Sequence, residues 1–384
     1  MAKKDIAAKA IEIHKKMGGK IQIGLPVKIK NRADLSLVYT PGVAAVSSAV
    51  AKNKKLARDY TIKGKMVAVI SDGSAVLGLG NIGALGALPV MEGKCALFKT
   101  FANVDAFPIV LDTQDPKEII ETVVRIAPAF GGINLEDIAA PKCFEIEEAL
   151  KERLDIPVMH DDQHGTAIVV LAALINAMKV VGKKINDDKR RIVVSGVGAA
   201  GVATIKLIKK YAPKVSIVAV DSEGIIGKNR KNLSLIKKQL MKEKTIVADE
   251  KGDLADAMQN ADVFIGVSKP RVLTQTMIRS MAHRPVVFAM ANPTPEIMPV
   301  EALAAGAAVV GTGRSDFPNQ INNSLAFPGI FKGALERGVM QITDSMKMKA
   351  AENLAALVKR PTAEHIVPGP FDRGVAAAVA KAIK

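Results

Sequence analysis

The chain has 384 residues, of which 49% are apolar, 4% aromatic and 24% charged, and its formal net charge is +16. This length allows two domains with separate cores, and the composition is typical of a soluble α/β protein and excludes an intrinsically disordered chain. Two cysteines, Cys95 and Cys143, are too few for a disulfide framework, so we expect a reducing compartment, the cytoplasm.

The chain has no predicted secretory or membrane segment. Residues 1–19 form a charged amphipathic pattern without the apolar centre of a signal peptide. The longest apolar run, residues 167–175, is too short to span a bilayer. We therefore expect no membrane partner.

The positive charge leaves open a nucleic-acid-associated protein, because lysine and arginine neutralise phosphates. However, the basic residues are spread along the chain, and no nucleic-acid module or aromatic stacking platform accompanies them. We therefore expect no nucleic-acid partner and attribute the charge to solvated faces that attract anionic substrates and cofactors.

The N-terminal region contains one tyrosine at a turn. Residues 1–19 predict a helix that ends at the glycine pair Gly18-Gly19. Tyr39 then opens the turn Tyr-Thr-Pro-Gly, where Pro41 is suited to begin a helix. A tyrosine is often a packed aromatic, but turns present functional groups, so Tyr39 is a candidate site residue.

A glycine-rich segment and a lysine follow the first predicted strand and its turn, residues 66–73. Gly78, Gly80 and Gly83 match GxGxxG, but they lie too far from that strand for a dinucleotide turn, so we predict a loop and a helix start that can meet an anion. Lys94 precedes an apolar run that we interpret as a buried strand. Burial would lower the pKa of Lys94 towards a range useful for base chemistry, whereas a lysine that extends to the surface is the alternative.

Two acidic doublets, Glu136-Asp137 and Asp161-Asp162, each follow a short predicted strand. Neighbouring carboxylates repel, so a fold that brings four together needs a cation. Hard oxygen ligands without a nearby cysteine pair favour Mg²⁺ or Mn²⁺. Ordinary loop acids are one alternative, and a zinc site at His160 and His164 is another.

From residue 190 onwards, strand-like and helical patterns alternate, which predicts a doubly wound parallel sheet. Gly196, Gly198 and Gly201 follow its first strand directly and open a helix, and Asp221 ends the next strand. This context predicts a nicotinamide or flavin dinucleotide site. Asn292 and the pair Asn322-Asn323 follow later strands, where side-chain amides can contact nicotinamide or substrate, although asparagines in loops are commonly turn formers.

Seven motifs in this order and spacing resemble the malic enzymes in their short prokaryotic form: DLSLVYTPGVA, SDGSAVLGLGNIGALGALPVMEGK, FGGINLEDI, PVMHDDQHGTAIVV, VVSGVGAAG, ANPTPE and NNSLAFPG. They are distributed along nearly the whole chain. The resemblance implies an α/β substrate and metal domain, residues 1–160, and a Rossmann-type dinucleotide domain, residues 161–384. Within the second, residues 326–384 are expected to be helical and to pack back on the first.

The resemblance also implies residue roles. Tyr39 would be the general acid and Lys94 the general base, with Asp161 tuning the lysine. The implied metal ligands are Glu136, Asp137 and Asp162. The implied malate ligands are Lys94, Asn292, Asn322 and Asn323. The implied dinucleotide ligands are Gly196, Val197, Gly198, Ala199, Ala200, Gly201, Asp221, Thr166 and Asn292.

The implied reaction is the conversion of L-malate to pyruvate and CO₂ with NAD⁺ or NADP⁺ and Mg²⁺ or Mn²⁺, by a homodimer. Asp221 favours NAD, whereas the basic residues after it can accept the 2′-phosphate of NADP. A redox-neutral activity at the same site, malolactic conversion or oxaloacetate decarboxylation, stays open. Ala75 stands where longer relatives have an arginine that holds the substrate carboxylate.

Overall fold

The structure, a computed structural model, describes residues 3–76 and 78–384. The helices, in chain order, are Lys3–Met17 (α1), Arg32–Val38 (α2), Val43–Lys52 (α3), Leu56–Tyr60 (α4), Gly83–Ala102 (α5), Pro116–Ile126 (α6), Lys142–Arg153 (α7), Asp161–Val181 (α8), Ala199–Tyr211 (α9), Leu235–Lys242 (α10), Leu254–Met258 (α11), Gln275–Arg279 (α12), Pro299–Ala304 (α13), Phe327–Arg337 (α14), Asp344–Ala356 (α15) and Val375–Ala380 (α16). The strands are Met66–Ser71 (β1), Asp105–Val110 (β2), Gly132–Leu135 (β3), Val158–His160 (β4), Arg191–Ser195 (β5), Ser216–Asp221 (β6), Gly224–Ile225 (β7), Val263–Gly266 (β8), Val286–Ala289 (β9) and Val309–Thr312 (β10).

The first sheet has four parallel strands in the order β2-β1-β3-β4. Its central strands are apolar along almost their whole length because helices cover both faces, as parallel sheets require. Helix α6, for example, begins where the Asp115 carboxylate accepts hydrogen bonds from two backbone N–H groups, with Pro116 at its first position. Because these strands are parallel, the carboxyl ends of β1, β3 and β4 meet at one edge of the sheet.

The second sheet has six strands in the order β10-β9-β8-β5-β6-β7. All pairings are parallel except the short edge pair of β6 and β7. The chain reverses direction across the sheet at β5, which is the switch point of a doubly wound fold. The predicted fold class, an α/β domain followed by a Rossmann-type domain and C-terminal helices, is confirmed.

The C-terminal helices pack on helices α5 and α8. Phe98 of α5 makes edge-to-face contacts with Phe327 and Phe331 of α14, at ring centroid distances of 4.7 and 5.5 Å. Helix α15 packs along α8. This arrangement joins the two sheets through one continuous core.

Helix α8 begins at Asp161, so both acids of the second doublet, Asp161-Asp162, lie in its first turn. Two local expectations are corrected. Lys94 lies inside α5 and not before a strand, because the apolar residues around it follow helical spacing. The C-terminal helix pattern is interrupted at Gly338, where a φ of 66° ends α14.

Two helical stretches match a membrane span by length and apolarity alone, residues Arg32–Lys52 and Asp161–Val181. The first is divided by the turn between α2 and α3. The second is 72% buried inside the protein, which is typical of a core helix. These features give only weak evidence for a membrane segment.

Asn176 of α8 is fully buried and donates hydrogen bonds to the carbonyls of Ala355 and Ile366, at 2.8 and 2.9 Å. Asn176→Ala should lower the free energy of unfolding by about 1–3 kcal/mol, because it leaves the buried carbonyl of Ile366 without a donor and removes one of the donors of the Ala355 carbonyl. Urea denaturation measures this change. Asn232→Ala, at an exposed position, is the control and should change it by less than about 0.5 kcal/mol; equal effects of the two substitutions would contradict the interpretation.

Candidate active site

The two acidic doublets meet at the carboxyl edge of the first sheet. Strands β3 and β4 pair in parallel with Leu135 beside His160, so Glu136-Asp137 and Asp161-Asp162 leave the sheet side by side. Strand β1 lies on the other side of β3 and ends at Ser71, directly before Asp72. Ser74, in the loop after β1, donates to Asp72 at 2.6 Å and accepts the N–H of Ala139 at 2.9 Å, which ties the two loops together.

Three carboxylates form a compact cluster that fits a divalent cation. Glu136, Asp137 and Asp162 each offer an oxygen, and these atoms lie within 4.8 Å of one another. The left-handed backbone of Asp137, with a φ of 53°, lets its N–H donate to Asp162 at 2.8 Å. The Asn134 amide donates to Glu136 at 3.0 Å. An all-oxygen set of partly buried carboxylates suits Mg²⁺ or Mn²⁺.

Lys94 is held between both doublets. Its Nζ lies 2.7 Å from Glu136 Oε1 and 2.6 Å from Asp161 Oδ2, and its side chain is 8% exposed. The ammonium also lies 4.2 Å from the ring centroid of Phe327, a cation–π contact. The alternative of a lysine that extends to the surface is therefore excluded.

The prediction that the pKa of Lys94 is lowered is wrong for the protein without a bound cation. Burial does act to lower this pKa, but the carboxylates of Asp161, Glu136 and Asp162 outweigh it and raise the pKa above its ordinary value. The cluster carries more negative than positive charge. Burial and the neighbouring carboxylates accordingly raise the pKa of Glu136, and burial raises that of Asp161 to about 6 although Lys94 lowers it.

Asp161 is enclosed completely. Among the described residues, its Oδ1 has no hydrogen-bond partner, and a Cβ atom on Gly165 would approach that oxygen to 1.8 Å. The glycine one turn along α8 therefore makes room for the Asp161 side chain. The same Cβ would lie 3.2 Å from Asn323, which brings this asparagine against the first turns of α8.

Loops from the second sheet close the site. The backbone of Gly78, in the loop after β1, approaches Asn292 and Pro293 so closely that a Cβ atom there would meet them at 2.9–3.0 Å. Asn292 is half-buried. The side chain of Asn322 accepts the N–H of Ser324 at 2.9 Å and caps a short 3₁₀ helix, so its carbonyl oxygen is already engaged.

The glycine-rich loop between β5 and α9 has a backbone geometry that suits a dinucleotide site. Gly196 has a φ of 97°, and a Cβ atom on Gly201 would meet the carbonyl of Gly196 at 1.9 Å, so both positions require glycine. Nothing lies within 4 Å of a Cβ atom built on Gly198, the exposed N-cap of α9. An open N-cap at a helix N-terminus is suited to bind a pyrophosphate. Val197 is buried beneath the loop, whereas Ala199 and Ala200 are half-buried.

Asp221 at the end of β6 is paired with two cations. Arg230 donates to it at 3.0 and 3.3 Å, and Lys237 at 2.7 Å. Burial alone would raise the pKa of Asp221, but these donors lower it. The carboxylate is thus ionised and largely neutralised by its neighbours.

Comparisons with known proteins agree with this geometry. Residues 19–151 match the model of the malic enzyme N-terminal domain, and residues 163–383 match that of the malic enzyme NAD binding domain. The chain belongs to the malic enzyme family.

Two relatives and one solved structure illustrate the similarity. The bifunctional malic/malolactic enzyme of Bacillus subtilis is 53% identical, over 97% of this chain and 91% of that protein. The NAD-dependent malic enzyme of Geobacillus stearothermophilus is 51% identical, over 96% of this chain and 76% of that protein. The crystal structure of the NAD-dependent malic enzyme of Thermotoga maritima has a TM-score of 0.93, with 48% identity over 98% of both chains.

Tyr39 and Thr166 are two further residues that the malic enzyme resemblance implies. Tyr39 caps the C-terminus of α2 and is 65% exposed. Lys94 makes no hydrogen bond to it among the described residues. Thr166 lies on α8 one turn after Asp162 and is half-buried.

The structure does not support the zinc alternative. The described residues that group as potential metal ligands are the three carboxylates, without His160 or His164. His164 instead lies 2.9 Å from Glu147. Burial is the main reason that the pKa of His164 is lowered, to about 4.

Two residues that support the malic enzyme site, Asn134 and Phe327, were not predicted from the sequence. Asn134 lies two residues before Glu136, so the period-2 pattern of a strand could have identified it. The ring of Phe327 could not have been found in this way, because 233 residues separate it from Lys94 and only packing brings them together.

Asp162→Asn should weaken Mn²⁺ binding by about 10-fold or more, because it removes one of three clustered negative charges. A titration followed by electron paramagnetic resonance measures the affinity. Glu152→Gln, an exposed change of the same kind on α7, is the control. An unchanged affinity in Asp162→Asn would remove this residue from the ligand set.

Proposed function

We propose that this protein catalyses the oxidative decarboxylation of L-malate to pyruvate and CO₂, with NAD⁺ or NADP⁺ and Mg²⁺ or Mn²⁺. One observation carries the proposal: a buried lysine bridges two acidic doublets beside a three-carboxylate cluster. A simple hydroxyacid dehydrogenase needs neither this cluster nor a second acid. The named relatives support the assignment.

We propose Lys94 as the general base, with its Nζ accepting the proton of the malate C2 hydroxyl. A bound divalent cation supplies positive charge that polarises this hydroxyl, stabilises charge on the substrate oxygens and offsets the carboxylates that raise the Lys94 pKa. A bound nicotinamide supplies the hydride acceptor. Asp161 holds the lysine in place through its 2.6 Å hydrogen bond. Glu136, Asp137 and Asp162 are the proposed ligands of the cation.

Asn292, Asn322 and Asn323 are proposed to hold the substrate carboxylates with side-chain amides. Asn323 lies against Gly165 of α8, close to Asp161, and Asn292 lies beside the loop that follows β1. Thr166 and the loop of residues 196–201 are proposed to hold the dinucleotide. The proposed division of labour follows the two sheets, with substrate and metal in residues 1–160 and cofactor in residues 161–384.

Tyr39 is the proposed general acid that protonates C3 of enolpyruvate, in the active site of a second subunit. Helices α2, α3 and α4 contain no buried residue, and apolar side chains there are strongly exposed, such as Leu37 at 75%. An apolar surface of this kind is typical of a homodimer interface. We expect this dimer in the cytoplasm, with a small-molecule substrate and without nucleic-acid or membrane partners.

A second candidate function is malolactic conversion at the same site, because the Bacillus subtilis relative is named a bifunctional malic/malolactic enzyme. The two are separated by incubating the protein with malate, Mn²⁺ and NAD⁺ and measuring products. Oxidative decarboxylation yields pyruvate and reduced cofactor in equal amounts, whereas malolactic conversion yields lactate without net reduction. Lactate as the main product would make the second function the principal one.

Lys94→Ala and Tyr39→Phe should each reduce malate turnover by about 10²–10⁴-fold, because each removes a proton-transfer group. If Tyr39 serves the partner's site, mixed dimers of the two variants contain one intact site. An equal mixture, unfolded and refolded together, should then recover about a quarter of the unmodified rate. Refolded samples of each single variant are the controls, and no recovery in the mixture would place Tyr39 in its own subunit's site.

Asp221→Ser should shift the preference towards NADP⁺ by about 10-fold, because it frees Arg230 and Lys237 to bind a 2′-phosphate. The ratio of kcat/KM for the two cofactors measures the shift. Asp249→Ser, at an exposed position paired with Lys228, is the control. A ratio that stays constant in Asp221→Ser would show that this carboxylate does not select the cofactor.

A further inference from the structure

Next to the second acidic doublet, four polar groups surround one buried carboxylate, that of Glu147. Glu147 of α7 is 2% exposed. It accepts hydrogen bonds from the backbone N–H of His160 at 3.0 Å and from the Gln163 amide at 3.1 Å. His164 Nε2 lies 2.9 Å from it, and the Lys151 ammonium lies 2.9 Å away.

Glu147 is ionised in this environment. Burial alone would raise its pKa, but His164, Lys151 and His160 act in the opposite direction and lower the pKa below its ordinary value. The Glu147 carboxylate restrains the positions of the groups that donate to it. If the carboxylate moved, these buried donors would lose their acceptor.

The carboxylate acts at the beginning of α8. Strand β4 ends at His160 and α8 begins at Asp161, so no loop separates them. His160 is the N-cap residue but provides no side-chain cap. Glu147 supplies from another helix the negative charge and the acceptor that the first turn needs.

Glu147 holds residues on both sides of the second acidic doublet. His160 precedes Asp161-Asp162, and Gln163 and His164 follow them. Glu147, Gln163 and His164 line a cavity of about 950 Å³, and neither Asp161 nor Asp162 is among its lining residues. The contacts of Glu147 therefore lie outside the carboxylate cluster. They restrain the backbone segment that carries Asp161 and Asp162.

We propose that Glu147 is a positioning residue that fixes the first turn of α8 and thereby the spacing of Asp162 from Glu136 and Asp137. The inference rests on the proposed function, because it assigns the cluster to a divalent cation. It extends that function by placing a determinant of metal affinity on α7, beyond the ligands themselves.

The test is a titration with Mn²⁺ alone, followed by electron paramagnetic resonance on the full chain. Glu147→Gln should weaken Mn²⁺ binding by about 10-fold, because one acceptor oxygen becomes a donor that faces other donors. Glu147→Asp keeps the charge but withdraws the carboxylate by one methylene, so it should weaken binding similarly. The matched control is Glu148→Gln on the same helix, since Glu148 also pairs with Lys151 but is 72% exposed; it should bind Mn²⁺ like the unmodified protein.

NAD⁺ affinity and the thermal midpoint, measured on the same samples, separate positioning from general damage. NAD⁺ binding should change by less than about 2-fold, because the loop of residues 196–201 lies outside α8, and Thr166, the one proposed dinucleotide contact on α8, is not a partner of Glu147. Equal loss of NAD⁺ and Mn²⁺ binding would indicate damage to the whole fold and would overturn the proposal. Full affinity in Glu147→Asp would also overturn it, because the charge alone would then be sufficient.

If Glu147→Gln does not fold, Gln163→Met removes a single donor and leaves the carboxylate in place. It should weaken Mn²⁺ binding by about 3-fold, and an unchanged affinity would overturn the proposal. If the unmodified protein binds no Mn²⁺, the proposed function fails. If it binds and the Glu147 variants bind equally well, only the positioning role fails.

Discussion

The site depends on one buried ammonium group, that of Lys94. It pairs with the acidic segments that follow two neighbouring strands, β3 and β4. Lys94 lies within 2.7 Å of both Glu136 and Asp161, and the surrounding carboxylates exceed it in charge. Such a cluster is stable only where further positive charge or protons offset the repulsion. This excess of negative charge raises the pKa of Lys94 when no cation is bound. A bound cation would therefore stabilise the carboxylates and lower the pKa of the lysine.

The parallel sheet brings the residues of this interaction together without long, flexible loops. Parallel strands place all their carboxyl ends on one edge, so short segments after β1, β3 and β4 meet without long loops. Helix α5 carries Lys94 across this edge, and α14 provides the ring of Phe327 above it. Because helices α7 and α14 contribute to the site from outside the ligand set, its precision depends on the packing of the whole core.

The N-terminal helices have a different character from the rest of the protein. Helices α2 to α4 expose apolar side chains and bury none, and the apolar side chains of α1 are exposed as well, whereas helices α5 to α16 pack into continuous cores. Tyr39 lies in this region and is 65% exposed, whereas Lys94 is 8% exposed. If Tyr39 serves the site of a second subunit, as proposed, the exposure of the proposed general acid is explained.

The sequence by itself determined the elements whose signal is local. The glycine spacing after β5, the acid doublets after β3 and β4 and the alternation of strands and helices depend on backbone geometry within a few residues. Only the tertiary structure decided that Lys94 lies in a helix with a raised pKa, that Glu147 supports α8 and that Phe327 covers the lysine. These properties depend on burial and on contacts between distant segments, and neither quantity is encoded in local spacing.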